Sequence, residues 1–158
     1  MDREEDVGFF GFEPQRGPRL MAYILSSLSG TWTYRSFRNN PDHEEDINEL
    51  LYGEGDLIVE ESPMGKFAGH LRLSSDYELD LRGFTSYGLP FIARFQGVGT
   101  RGSKAEGWIY DYMAFVVPDW PNGVDQIPAM VGSNIRTVPH DGSPAGLVAS
   151  WIALKQDG

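Results

Sequence analysis

The chain of 158 residues is long enough for one domain with a hydrophobic core and short for two domains of ordinary size. Its formal net charge of −10 argues against nucleic acid and anionic membrane surfaces as partners, because both attract basic proteins. The lack of cysteine excludes disulfides, thiolate metal ligands and a cysteine nucleophile.

The N-terminal segment 1–28 is predicted to be an arm that ends in a short helix at 19–28, before Gly30. Its mainly acidic start has the wrong charge for a signal peptide, and no apolar segment of the chain is long enough to cross a membrane. We therefore expect a soluble, cytoplasmic protein. Phe9, Phe10 and Phe12 indicate either a free tail or an arm that docks on a neighbouring surface.

The segment 29–158 is predicted to form a single β-barrel domain, because it contains eight short strands separated by turns rich in Gly, Pro, Asp and Ser. The predicted strands cover residues 31–37, 56–61, 66–74, 77–85, 90–98, 107–117, 129–138 and 146–155. Eight hairpin-linked strands favour an all-β antiparallel up-and-down barrel, since closure removes the exposed sheet edges. Its interior is just wide enough for side chains or one small ligand. The long connection 38–55 has a capping signal and apolar residues at helical spacing, which predict a short helix that ends at Gly53 or Gly55.

The first predicted strand opens with Gly30-Thr31-Trp32, and the last contains Trp151. A Gly-x-Trp followed by an eight-strand meander resembles the calycin superfamily of avidin-like and lipocalin-like barrels. The resemblance implies a central pocket, with the first tryptophan packed across the closed end and the mouth at the opposite end. The ring of biotin-contacting hydroxyls found in avidins is not recognisable here, so biotin binding is not implied.

Alternation along strands five to eight leaves two possible linings of the lumen, because it does not say which face is interior. One lining is apolar with convergent polar groups, of which Asp111 is the candidate catalytic residue, with Arg94 or Arg136 as its partner. The ligand contacts of that lining are Arg94, Asn134, Arg136 and Ser150. The other lining is aromatic and consists of Trp32, Tyr34, Phe95, Trp108, Tyr110, Tyr112 and Trp151. A structural ion pair and an ordinary aromatic core are the alternatives to these functional interpretations.

His43 and His140 belong to loops at the expected mouth, where two histidines suit acid–base chemistry or metal binding. Two solvated loop histidines are the alternative interpretation. No third ligand has matching spacing, and the acidic residues at 42–49 lack the register of a calcium-binding loop. Dinucleotide and phosphate-loop fingerprints are missing too. The sequence therefore predicts neither a metal nor a cofactor.

Strands six and eight are apolar on both faces, which predicts that their outer surfaces are covered. One short helix is too small to cover three strands, so we expect a homo-oligomer, a dimer, formed through the outer faces of strands six to eight. Three functions remain open: a barrel that binds a hydrophobic small molecule, a cofactor-independent cyclase or isomerase using the same cavity, and an oligomeric interaction module with a filled lumen. Binding ranks first, because no residue set requires chemistry.

Overall fold

The computed structural model describes residues 28–86, 91–117 and 127–156, which form one closed barrel of eight antiparallel strands. Each strand pairs with its neighbour in sequence, and the last strand pairs with the first. The strands are β1 (Gly30–Arg38), β2 (Leu51–Glu61), β3 (Lys66–Arg72), β4 (Glu78–Ser86), β5 (Ile92–Gly99), β6 (Ile109–Val117), β7 (Ala129–Arg136) and β8 (Val148–Lys155). The predicted fold class, an up-and-down eight-stranded barrel, is thereby confirmed.

Strand β2 begins at Leu51 and not at 56, because two glycines expected to end a helix lie inside the strand. Gly53 and Gly55 are paired with β1. At Gly55 the neighbouring strand comes so close that a Cβ atom would lie 1.9 Å from the carbonyl oxygen of Arg72. Glycine at this position therefore permits close strand pairing.

The helix predicted within 38–55 is not supported by the structure. The connection holds only a 3₁₀ turn of four residues, Ile47–Leu50, capped by Asp46, whose carboxylate accepts a hydrogen bond from the backbone N–H of Asn48. The early start of β2 leaves no room for more than one helical turn. The other predicted helix, at 19–28, and the aromatic arm lie outside the described residues except for Leu28.

One end of the barrel is filled by an apolar layer around Trp32, which is fully buried. The indole Nε1 of Trp32 donates to the backbone oxygen of Leu28 at 3.0 Å, and the Lys155 ammonium lies 5.6 Å from the centre of a Trp32 ring. The inward side chains of the next three strands belong to the same buried core: Leu57, Val59, Phe67, Leu71, Leu79 and Leu81. Trp32 lies at the end of the barrel where β1 begins, which we call the closed end.

The outer surface differs from one side of the barrel to the other. On β4 the outward residues are mainly charged, and Glu78 forms an ion pair with Arg72. On β6 to β8 the outward residues are largely apolar: Met113, Phe115, Val117, Val131, Ile135, Val148 and Leu154. We call this set the apolar outer face. Within the described ranges, no helix is long and apolar enough to span a bilayer.

Candidate functional site

The candidate site lies inside the barrel at the end opposite Trp32, which we call the mouth. Because the strands run up and down in turn, the connections 39–50, 73–77, 100–108 and 137–147 all lie at this end. Four side chains meet there, and we call them the mouth cluster: Tyr52, Tyr110, Arg136 and His140. Each comes from the mouth end of a strand or from the connection after it.

Tyr110 is the centre of the mouth cluster. Its hydroxyl lies 2.7 Å from His140 Nε2, 3.1 Å from Arg136 Nε and 3.2 Å from the hydroxyl of Tyr52. The Nη2 group of Arg136 also donates to the Tyr52 hydroxyl. The hydroxyls of Tyr110 and Tyr52 thus hold two of the three guanidinium nitrogens of Arg136, Nε and Nη2. His140 in turn holds the Tyr110 hydroxyl.

A tight turn places His140 over the barrel interior. Asp141 and Gly142 have φ values of 49° and 75°, and His140 and Ser143 exchange two backbone hydrogen bonds across them. Two successive positive φ values are typical of an Asp-Gly hairpin turn. The imidazole stacks on Trp108 with ring centroids 4.1 Å apart, and its side chain is only 10% exposed. The turn therefore places a partly buried histidine at the mouth of the barrel.

The proton positions in this network follow from the pKa shifts and the contacts. Burial lowers the pKa of His140, as does the positive charge of Arg136, although Asp141 opposes both effects. A neutral imidazole that donates from Nδ1 to the Asp141 carboxylate, 3.2 Å away, has Nε2 free to accept the Tyr110 proton. Burial raises the pKa of Tyr110, so that residue stays a neutral phenol. The Tyr110 oxygen then accepts from Arg136.

Below the mouth cluster the lumen is lined by aromatic rings. Phe95 and Tyr112 stack with centroids 4.7 Å apart and planes 4° apart. Trp151 lies 5.8 Å from Phe95, 6.1 Å from Tyr112 and 5.6 Å from Tyr34. Asn134 donates from Nδ2 to the Tyr34 hydroxyl at 3.0 Å. These rings come from the middle of their strands, between the mouth cluster and the end of the barrel where Trp32 lies.

Three buried polar atoms of the site have no hydrogen-bond partner among the described residues: Asn134 Oδ1, Arg136 Nη1 and Trp151 Nε1. Arg136 is only 4% exposed, and none of the ion pairs in the described part of the chain includes it. An unsatisfied buried polar group costs about 1–3 kcal/mol, and a buried unpaired charge costs more. Such groups need an explanation in a folded protein, and polar atoms of a bound ligand or of ordered water supply one.

The structure places most of the predicted ligand contacts inside the barrel. The inward, buried residues are Trp32, Tyr34, Phe95, Tyr110, Tyr112, Asn134, Arg136 and Trp151. Of these, Trp32 belongs to the closed end and the others to the mouth half. The lumen thus combines the aromatic lining with Asn134 and Arg136, two polar residues of the other predicted lining.

The remaining predicted site residues, Arg94, Asp111 and Ser150, are exposed on the outer face of the barrel. Asp111 accepts a hydrogen bond from Gln96 at 2.9 Å, and Ser150 donates to Asn39 at 3.0 Å. The register explains their position, because residues opposite one another in an antiparallel pair point to the same side. Tyr112 lies opposite Asn134, so the next residue on β6, Asp111, must point away from the lumen.

The mouth cluster contains two residues that were not among the predicted ligand contacts, Tyr52 and His140. The predicted strand boundaries place Tyr52 in the 38–55 connection, whereas in the structure it lies at a β-bulge of β2. There the pairing of β1 with β2 passes from Gly53 directly to Leu51. A bulge re-aims side chains, and no sequence signal at Tyr52 predicts it. His140 was predicted at the mouth but not as part of a network with tyrosines. Its suggested partner His43 is exposed on the 39–50 connection.

A cluster of His70, Glu78 and Asp80 lies outside the barrel, with its ligand atoms within 4.8 Å of one another. His70 Nδ1 is 3.1 Å from Asp80 Oδ1 and 3.3 Å from Glu78 Oε1. Thr100 also donates to Asp80 Oδ1, and Arg72 donates to Glu78 Oε2. Hydrogen bonds and ion pairs on the surface account for this cluster.

Comparisons of the chain with protein-family models, with curated proteins and with solved structures found no match. The site is therefore interpreted from its own geometry and chemistry.

Replacing Tyr34 by phenylalanine is expected to remove an alkaline instability. Burial raises the pKa of Tyr34 from 10.0 to about 12, so the fold favours the neutral phenol. The contribution of the neutral Tyr34 phenol to the free energy of unfolding is complete below pH 10 and is lost as the pH rises from 10 towards 12. By pH 11 the loss amounts to about 1.4 kcal/mol, one pKa unit. Urea titrations at pH 9 and 11 should show this additional loss in the wild type and not in Tyr34→Phe; parallel pH dependences would contradict the prediction.

Proposed function

We propose that the protein binds a ring-containing small molecule in the mouth half of its barrel. The observation that carries the proposal is the set of three buried, unpartnered polar atoms, Asn134 Oδ1, Arg136 Nη1 and Trp151 Nε1. Ligand sites are largely apolar cavities with a few convergent polar groups. A bound molecule with suitable donors and acceptors would satisfy these atoms and recover the free energy that their isolation costs.

The aromatic lining supports a flat, ring-bearing ligand. Trp151, Phe95 and Tyr112 are buried and contact one another edge to face or by stacking, and a ligand ring among them would make the same kinds of contact. Eight strands leave an interior suited to one small ligand. The closed meander with Trp32 at its base is compatible with a calycin-like cup, which we propose as its family.

Catalysis in the same cavity, as a cofactor-independent cyclase or isomerase, is the second candidate. The hydrogen bonds that link Asp141 to His140 and His140 to Tyr110 favour catalysis, because a carboxylate that orients a histidine is a common arrangement for proton transfer. However, the Tyr110 hydroxyl is already engaged by three neighbours, and Asp111 lies outside the lumen. Binding therefore has the stronger support.

The lumen proposal is tested with neutral ring compounds, 2-naphthol and 2-naphthamide, added to the full chain. We expect both to quench tryptophan fluorescence saturably and to show saturation-transfer NMR contacts. Trp151→Phe, which keeps a ring and removes the orphan N–H, should weaken binding of 2-naphthol about 3- to 10-fold. Asp111→Asn, on the outer face, is the matched control and should bind like the wild type. Failure of both compounds, and of the related anion 2-naphthoate, to bind would overturn the proposal and favour a filled-lumen interaction module.

We further propose that the apolar outer face is covered by a second copy of the chain. Its residues on three adjacent strands form a continuous exposed surface of the kind found at subunit contacts, including Phe115, which is 49% exposed. Native mass spectrometry of freshly purified protein should show a dimer, together with any retained ligand. Phe115→Lys should yield monomers, whereas Phe84→Lys, at a similarly exposed position on β4, should not. A monomeric wild type would contradict the dimer and point to the N-terminal arm as the cover.

A further inference from the structure

We infer that the ligand is a ring-containing carboxylic acid, bound as its anion with the carboxylate at Arg136 and the ring directed towards Trp151. This inference rests on the proposed ligand-binding function and specifies the chemical class of the ligand. It follows from the charge of Arg136, the way the guanidinium is held, and the order of the polar groups along β7.

Arg136 is a buried cation, because a guanidinium is always protonated and this one is nearly inaccessible to solvent. Its two occupied nitrogens donate to neutral phenols, Tyr110 and Tyr52, and neither supplies a negative charge. A buried cation requires a counter-charge or several strong hydrogen bonds. Within the described residues no carboxylate forms an ion pair with Arg136, and we therefore assign the counter-charge to a molecule that enters the lumen.

The guanidinium is also pre-organised to receive that molecule. Tyr110 and Tyr52 hold Nε and Nη2, and the guanidinium carbon lies 5.8 Å from the centre of the Tyr110 ring. Nη1 is thus left buried and free in a fixed orientation. Because the receiving group is held before the ligand arrives, little side-chain entropy is lost on binding.

The site favours a monoanion over a phosphate. It offers one cation, since His140 is held neutral beside Arg136, and the rim carries the Asp141 carboxylate. A phosphate monoester carries about −1.5 to −2 charges at neutral pH and is usually met by several cationic donors. A carboxylate matches the single charge of Arg136. A neutral carbonyl group would leave the guanidinium uncompensated.

The ring lies deeper than the carboxylate because the orphan groups follow one another along β7. Asn134 is two residues inward from Arg136 on the same face, about 7 Å along the strand. Trp151 pairs with Gly132, two residues further inward. From the mouth inward, the free groups are a cationic donor, an amide acceptor and an indole donor. A hydroxyl on the inner part of the ligand can donate to Asn134 and accept from Trp151.

The test compares 2-naphthoate with 2-naphthamide, which share a ring system and differ in the charge of one group. By calorimetric titration, the wild type should bind 2-naphthoate about 10- to 100-fold more tightly than the amide, the range expected for a charge-assisted hydrogen bond. Arg136→Met should abolish the difference while binding of the amide persists. Arg94→Met, an exposed arginine on the outer face of β5, is the matched control and should preserve it. Placing a hydroxyl at position 6 of 2-naphthoate should tighten binding further, and Asn134→Leu should remove that gain.

The outcomes separate this inference from the proposed function. Equal affinities for 2-naphthoate and 2-naphthamide would overturn the carboxylate inference and leave lumen binding intact. Tighter binding of 2-naphthyl phosphate would overturn the assignment of a monoanion. Failure of all these compounds to bind would overturn both proposals. Should Arg136→Met fail to fold, Arg136→Gln supplies the same comparison, because it removes the charge and keeps hydrogen-bond donors.

Discussion

Arg136→Met is expected to raise the free energy of unfolding of the ligand-free protein by about 1–3 kcal/mol. The wild type buries a guanidinium with one unpartnered nitrogen and no carboxylate partner in the described structure. Methionine is flexible and apolar, and it fills the same part of the lumen without the cost of desolvating a charge. The phenols of Tyr110 and Tyr52 can still bond to each other, 3.2 Å apart, and Tyr110 can still donate to His140.

Urea titrations at pH 7 measure this effect, with Arg136→Lys as the control that keeps the charge and loses the planar donor set. We expect Arg136→Lys to be no more stable than the wild type. If Arg136→Met lowered the free energy of unfolding by more than about 1 kcal/mol, the size of an ordinary buried hydrogen bond, the hydrogen bonds of Arg136 would instead be structural. A gain in stability together with loss of carboxylate preference would mark Arg136 as a residue retained for binding.

Trp32→Ala is expected to lower the free energy of unfolding by about 3–5 kcal/mol. The indole is fully buried in the closed end, donates to Leu28 and lies beneath the Lys155 ammonium. Alanine would leave a cavity in the buried core, and the paired strands around it limit how far the backbone can move inward to fill it. The backbone oxygen of Leu28 would lose its donor as well.

Thermal and urea unfolding of Trp32→Ala and Trp108→Ala provide the matched comparison, because Trp108 is only partly buried and lies at the mouth. We expect Trp108→Ala to cost clearly less. If Trp32→Ala does not accumulate as folded protein, Trp32→Phe should still lose about 1–2 kcal/mol through its smaller volume and the missing N–H donor. If Trp32→Ala lowered the free energy of unfolding by less than about 1 kcal/mol, the closed end would be loosely packed and the prediction would be contradicted.

Together these two substitutions assign different roles to the two ends of the barrel. The closed end has apolar side chains with satisfied polar atoms, as at Trp32, and contributes stability. The mouth has a buried charge and orphan polar atoms, which reduce stability unless a ligand satisfies them. Proteins commonly accept such local costs at binding sites.

The strand pattern was predictable because its signals are local. Alternation such as Leu79, Leu81 inward against Glu78, Asp80 outward identifies a half-exposed strand without any knowledge of its neighbours. The same local reasoning failed at 38–55, where Gly53 and Gly55 suggest the end of a helix. Their strand conformation depends on β1 and β3, which lie beside them only in the folded barrel. The cytoplasmic location stays a prediction.

The site was predictable only in part. Tyr110, Tyr112, Trp151 and Arg136 were selected from the sequence, but as members of two competing linings. Alternation separates the two faces of a strand and does not say which one is inside. The bulge that directs Tyr52 towards the mouth is a departure from regular strand pairing, and the residue types around it do not predict it.

Alternating residues and turn signals were thus sufficient for an eight-strand barrel, because strand formation and chain reversal are encoded within a few neighbouring residues. The place of Trp32 at one end was implied only by the calycin resemblance. The partners of Arg136 were decided only in three dimensions. Tyr52, Tyr110 and His140 come from segments far apart in the chain, and the strand register and one Asp-Gly turn bring them together. Whether a polar side chain is solvated, paired or left without a partner inside the lumen depends on that register.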